Sequence, residues 1–124
     1  MNIASLIDHT LLKPTTTSGD VLRVCNEAEQ FGFAAVCIPP CYVSAAKLLL
    51  ANSPVKVGTV IGFPLGYHTT GSKLCEIEEA VERQADELDM VINLAAVKNG
   101  YWDSIREEVA ACVRLIQSAG KVMK

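Results

Sequence analysis

Short apolar runs alternate with longer amphipathic stretches along the whole chain. "SLIDHTLL" (5–12) reads as a first strand, and "SGDVLRVCNEAEQFG" follows with Val21, Leu22, Val24, Cys25 and Ala28 at helical spacing. Ser18 stands where an N-cap belongs and Gly32 where a C′ glycine belongs. "FAAVCIPP" (33–40) is a second strand, stopped by two prolines that cannot extend a ladder. "YVSAAKLLLANS" reads as a helix, and "KVGTVIGFPLG" (56–66) as a third strand running into a Gly/Pro loop. "SKLCEIEEAVERQAD" carries Leu74, Ile77, Val81 and Ala85 on one face and acids on the other. "ELDMVINL" is a fourth strand, and "YWDSIREEVAACVRLIQSAG" a fourth long helix stopped by Gly120.

Strand centres near Ile7, Val36, Val60 and Val91 are 29, 24 and 31 residues apart, the size of one strand plus one helix. Strict alternation of this kind implies an α/β fold with a parallel sheet in one domain, residues 1–124. Val122 lies 31 residues after Val91, so a fifth strand is due at "KVMK" and the pattern reads as cut rather than finished. Two architectures satisfy the period. One is a doubly wound, flavodoxin-like sheet with a ligand at its switch point. The other is the first half of a (β/α)8 barrel, whose usual size is about 250 residues. Neither G-x-G-x-x-G nor a Walker A motif occurs, which weakens nucleotide-binding versions of the first.

Composition narrows the function classes. With half its residues apolar, 20% charged and a net charge of −3, the chain reads as a soluble globular domain without a basic patch for nucleic acid. No apolar run approaches the ~20 residues of a membrane span, and "MNIASLIDHT" lacks the features of a signal peptide. Five cysteines, Cys25, Cys37, Cys41, Cys75 and Cys112, are an odd number. Cys37 and Cys41 have no second cluster, and His9 and His68 are isolated, so no metal site is expected and reduced cytoplasmic thiols fit better. The chemically interesting residue is Asp89, a carboxyl group inside a strand otherwise built for burial, where it is costly unless paired.

Four strings in order, "IDHTLLKP", "VCIPPCYV", "VGTVIGFPLG" and "ADELDMVIN", resemble the N-terminal half of deoxyribose-phosphate aldolases, and the resemblance covers essentially all 124 residues. It implies a (β/α)8 (TIM) barrel represented by about four βα units. It also implies a cytoplasmic class I aldolase, commonly homodimeric, that needs neither metal nor cofactor. Such an enzyme cleaves 2-deoxy-D-ribose 5-phosphate to D-glyceraldehyde 3-phosphate and acetaldehyde. Gln84 departs from the glycine usual before the "ADE" segment, which implies a changed helix end.

Alternation puts Asp89, Val91 and Asn93 on one side of the fourth strand and Leu88, Met90 and Ile92 on the other. In a barrel the more apolar set belongs under the helices, leaving Asp89 and Asn93 inside. The resemblance assigns Asp89 the proton relay, working with a lysine and water as the carbinolamine and imine form and collapse. Asp8 and Thr10 share a parity and by resemblance shape the sugar pocket, although such a pair also simply bonds a turn. Cys37 corresponds to a pocket position in some members, with a small core hydrophobe as the plainer role. Asn93 is expected to meet either substrate or another strand end. His9, of opposite parity, reads as a structural histidine, and Phe63 and Pro64 as loop wall. Lys73 and Glu76 read as an exposed i,i+3 pair, and Tyr101 and Trp102 as core or interface aromatics.

A class I aldolase requires a lysine held unprotonated, which the resemblance places on the sixth strand, with its partner lysine on the seventh and the phosphate site in the last loops. None of the seven lysines, Lys13, Lys47, Lys56, Lys73, Lys98, Lys121 and Lys124, matches either motif, and Lys124 would merely open the fifth strand. Two functions therefore stand. The chain is part of an aldolase whose longer parent is active, or it is a non-catalytic half-barrel acting through assembly; a flavodoxin-like binding module is the weaker third.

Overall fold

The computed structural model describes residues 2–124. After a 3-10 turn at Ile3–Leu6 the elements run β1 (Asp8–Thr10), α1 (Ser18–Phe31), β2 (Ala35–Ile38), α2 (Val43–Leu49), β3 (Lys56–Ile61), α3 (Thr70–Glu82), β4 (Glu87–Met90), α4 (Leu94–Asn99), α5 (Trp102–Ser118) and β5 (Val122–Met123). All four strand pairings are parallel, and the sheet order is β1-β2-β3-β4-β5. Sequential order without reversal removes the flavodoxin-like alternative, which requires a switch point. The fifth strand forms where the 31-residue spacing placed it.

The register separates two faces. Val36, Ile38, Val57, Ile61 and Leu88 join Val21, Val24, Cys25, Ala28, Ile77, Cys112 and Ile116 from the helices in one core. Ala35, Cys37, Gly58, Val60, Glu87 and Asp89 alternate with them and point to the other side. Helices thus cover one face only, and Lys124, just past β5, reaches Asp8 on β1 within bonding distance across the other. In a flat sheet those outer strands would stand roughly 19 Å apart, four spacings of about 4.8 Å. A lysine cannot bridge that, so the sheet is curled. It is an arc of a parallel α/β barrel, with Asp8, Glu87, Asp89 and Lys124 on its concave side.

Local details depart from the sequence expectation for identifiable reasons. The N-cap of α1 is Thr17, not Ser18, because Thr17 exchanges hydrogen bonds with Asp20 in a complete capping box. β1 is only Asp8–Thr10, since Ile3, Leu6 and Ile7 lie exposed in and after the preceding turn. The short α4 escaped periodicity analysis but carries its own signals, with Asn93 capping one end and Gly100 in the left-handed conformation at the other. Tyr101 and Trp102 are exposed rather than core. His9 fits the structural reading, its Nε2 lying 2.6 Å from Glu27 and its ring against Phe33.

Four helix ends share one geometry. After α1, α3, α4 and α5 the pairs Gly32–Phe33, Gln84–Ala85, Gly100–Tyr101 and Gly120–Lys121 send their N–H groups back to the last turn, as in a Schellman motif. Three of the left-handed positions are glycine; the fourth is Gln84 at φ +69°. A Cβ in that region costs about 1–2 kcal/mol, part of which glycine returns through greater freedom in the unfolded chain. Gln84→Gly is therefore expected to raise stability by about 1 kcal/mol in denaturant titration. An unchanged or lowered midpoint would show that the Gln84 side chain makes a compensating contact.

Candidate functional site

The concave face collects ionisable groups from both ends of the chain. Main-chain bonds from Lys124 N to Leu88 O (2.9 Å) and from Met90 N to Lys124 O (2.9 Å) set Lys124 beside Asp89 in the ladder. Its ammonium donates to Asp8 and lies 2.9 Å from Glu87 Oε2 and 3.3 Å from Asp89 Oδ1. Burial works against the charge on Lys124, but the hydrogen bonds of Asp8 and Glu87 and the field of Asp89 outweigh it, so its pKa is raised. Such an amine stays protonated at neutral pH. It is an electrostatic anchor, unsuited to attack a carbonyl.

Asp89 is the only carboxyl of the group adjoined by a thiol. Cys37 Sγ lies 3.8 Å from Asp89 Oδ2. Burial first, then the neighbouring Asp89 charge, pushes the Cys37 thiol up to about 12, so it remains a protonated, non-nucleophilic donor. The other oxygen, Oδ1, is buried and within ion-pair range of Lys124 but has no aligned hydrogen-bond donor. Asp89 is thus held on one side and has unspent acceptor capacity on the other, which suits a group that must take and return a proton.

Of the residues expected from sequence, Asp8, Cys37 and Asp89 come together around Lys124. Thr10 lies in register with Cys37 but its Oγ1 turns back to Asp8 O at 2.9 Å. Asn93 sits beyond β4 and spends its side-chain oxygen on Ala96 N at 3.1 Å, capping α4, so only its amide NH2 is left to face outward. Phe63 forms a wall, with Leu12, Pro39 and Val60, of a cavity of about 330 Å³ whose polar edge includes Glu76 and Arg83.

Two features were missed. Glu87 has the parity of Asp89, a signal already present in "ELDM". Lys124 is visible only once β5 is paired. A third feature corrects the sequence reading outright: Lys73 and Glu76 are not an exposed pair. Lys73 is completely buried and bonds Glu108 Oε1 at 2.6 Å and Val91 O at 2.9 Å, whereas Glu76 accepts from Gly62 N at 2.6 Å.

A curled parallel sheet with helices outside and ionisable side chains gathered on its concave side is the framework of parallel α/β barrels, whose enzymes carry their chemistry at the C-terminal mouth of the strand ring. The chain belongs to the DeoC/LacD family of aldolases, whose pattern it matches over residues 3–121. It is 48% identical over 123 residues to the deoxyribose-phosphate aldolase of Thermoanaerobacter pseudethanolicus, covering 99% of this chain and 55% of that protein. The Clostridium kluyveri enzyme of the same name is 48% identical over 120 residues, again over 55% of its length. The tetrameric deoxyribose phosphate aldolase of Aeropyrum pernix superposes with a TM-score of 0.88 at 36% identity, over 98% of this chain and 50% of that one. The chain thus spans about half the length of the relatives it matches. Among the described residues no helix is long and apolar enough to cross a membrane.

Proposed function

We propose that these residues form the N-terminal half of a class I deoxyribose-phosphate aldolase, a carbon–carbon lyase active in a longer parent and needing no metal or cofactor. The observation that carries the reading is Asp89 on the concave face, paired with Lys124 and touched by Cys37. A substrate aldehyde condenses with a lysine amine supplied by the remainder of the barrel, and the carbinolamine loses its hydroxyl as water once protonated. Asp89 passes that proton. The 3-hydroxyl then gives up its proton as the C2–C3 bond breaks, and the bonding pair moves into the iminium to leave an enamine. Protonation at C2 and hydrolysis release acetaldehyde and restore the amine. Asp8, Thr10, Cys37 and Asn93 contribute to the pocket for the sugar.

Several features support the rest of the proposal. The five cysteines are all free, in keeping with a cytoplasmic location. Exposed Leu22, Leu48 and Leu49 on α1 and around α2 are suited to self-assembly, a homodimer in this reading. The substrate is a small phosphorylated sugar, not a nucleic acid or a membrane.

The test is a coupled assay of the parent on 2-deoxy-D-ribose 5-phosphate with excess chelator present. Formation of glyceraldehyde 3-phosphate and acetaldehyde at an undiminished rate is expected. No cleavage, or cleavage abolished by the chelator, would overturn the assignment.

A further inference from the structure

Among the described residues Lys73 is the largest fully buried side chain, and it lies outside the Asp89 cluster. Its ammonium joins three segments distant in sequence. It donates to Glu108 of α5 (2.6 Å) and to the main-chain oxygen of Val91 (2.9 Å), two residues past Asp89. Glu108 is itself only 6% exposed and accepts from Thr70 Oγ1 at the start of α3 (3.0 Å). On its other side the lysine stem packs on the β3–α3 loop, so closely that a Cβ on Gly62 would stand 2.8 Å from Lys73 Cε. That loop is bound in turn: Gly62 N to Glu76 at 2.6 Å and Gly66 N to Gly62 O at 2.7 Å. A Cβ on Gly66 would stand 2.0 Å from Ile92 O, so the loop backbone lies directly against the exit of β4.

An ion pair this deep is a poor choice for stability alone, since well-packed apolar residues of the same volume usually do as well or better. What an apolar side chain cannot do is hold a carbonyl oxygen at a fixed point. Val91 N already donates to Ile61 O at 2.9 Å, so with the Lys73 bond to Val91 O both main-chain polar groups of Val91 are held. We propose that Lys73, held by Glu108, is a positioning residue that clamps the exit of β4 and the Gly62–Gly66 loop, and thereby sets where Asp89 stands on the concave face. The catalytic part of this inference rests on the aldolase reading; the mechanical part does not.

The experiment replaces the pair by an apolar one, Lys73→Met with Glu108→Leu, in the full-length protein that carries these residues. Amide hydrogen exchange by peptide mass spectrometry is read beside kcat and KM. With the melting temperature within a few degrees of wild type, peptides spanning 88–93 and 62–69 are expected to exchange at least tenfold faster, with the rest unchanged. Turnover should fall about tenfold at little-altered KM, and the limb of the kcat–pH profile that reports the general acid–base step should move. Unchanged exchange in those two peptides overturns the clamp. Faster exchange with unchanged kcat and pH profile overturns the link to Asp89. If the double variant does not fold, Lys73→Met with Glu108→Gln removes the ammonium and the charge while keeping an acceptor for Thr70, and the same exchange and kinetic criteria decide. A wild-type parent without aldolase activity would refute the proposed function, while the exchange data still decide the clamp.

Discussion

Asp89→Asn in the full-length parent should lower turnover by roughly 10²-fold or more, the usual size of a general acid–base contribution. An amide keeps the volume and one acceptor but cannot take up the proton, and it cannot form the ion pair with Lys124 at 3.3 Å. Stability should change little, because Asp89 is a third exposed and Lys124 retains Asp8 and Glu87 as partners. Steady-state kinetics beside a denaturant titration separates the two effects. Near-normal turnover in a folded variant removes Asp89 from the mechanism.

The second large effect is on folding. Lys73→Met alone leaves Glu108 buried at 6% exposure without its counter-charge. Removing one partner of such a pair costs about 3–5 kcal/mol, far more than the pair itself contributes over apolar packing. Denaturant midpoints should show a loss of that order. By contrast, Arg106→Met, which deletes a pair whose side chains are 75% and 88% exposed, should leave the midpoint essentially unchanged. Equal effects from the two substitutions would mean that the interior near Lys73 admits enough water to screen the charge.

Much of the fold was legible because barrel strands need buried apolar runs and their helices need amphipathic ones; both periods survive in "VGTVIG" and "EIEEAVERQ". Even β5 was indicated by spacing alone. What periodicity could not show are features decided by a few polar bonds. The Thr17–Asp20 capping box displaced the apparent cap at Ser18, and Asn93 and Gly100 delimit α4, too short for a hydrophobic period to emerge. Lys73 looked like an ordinary charge of an exposed helix face, because its partner Glu108 is 35 residues away and on another helix. In the candidate site, Asp89 was indicated by a misplaced acid and by motif resemblance. Glu87 could have been added by parity. Lys124 could not be placed until the sheet curled and brought β5 across to Asp8.

In the proposed function these residues supply the proton-handling side of a Schiff-base aldolase and not its nucleophile. This is tested most directly by treating the parent with 2-deoxy-D-ribose 5-phosphate and borohydride, then mapping the reduced adduct by peptide mass spectrometry. A single modified lysine outside residues 1–124 is expected, and no adduct when the 124-residue chain is treated alone. A substrate-dependent adduct on Lys124, or on any of the other six lysines of this chain, would contradict it.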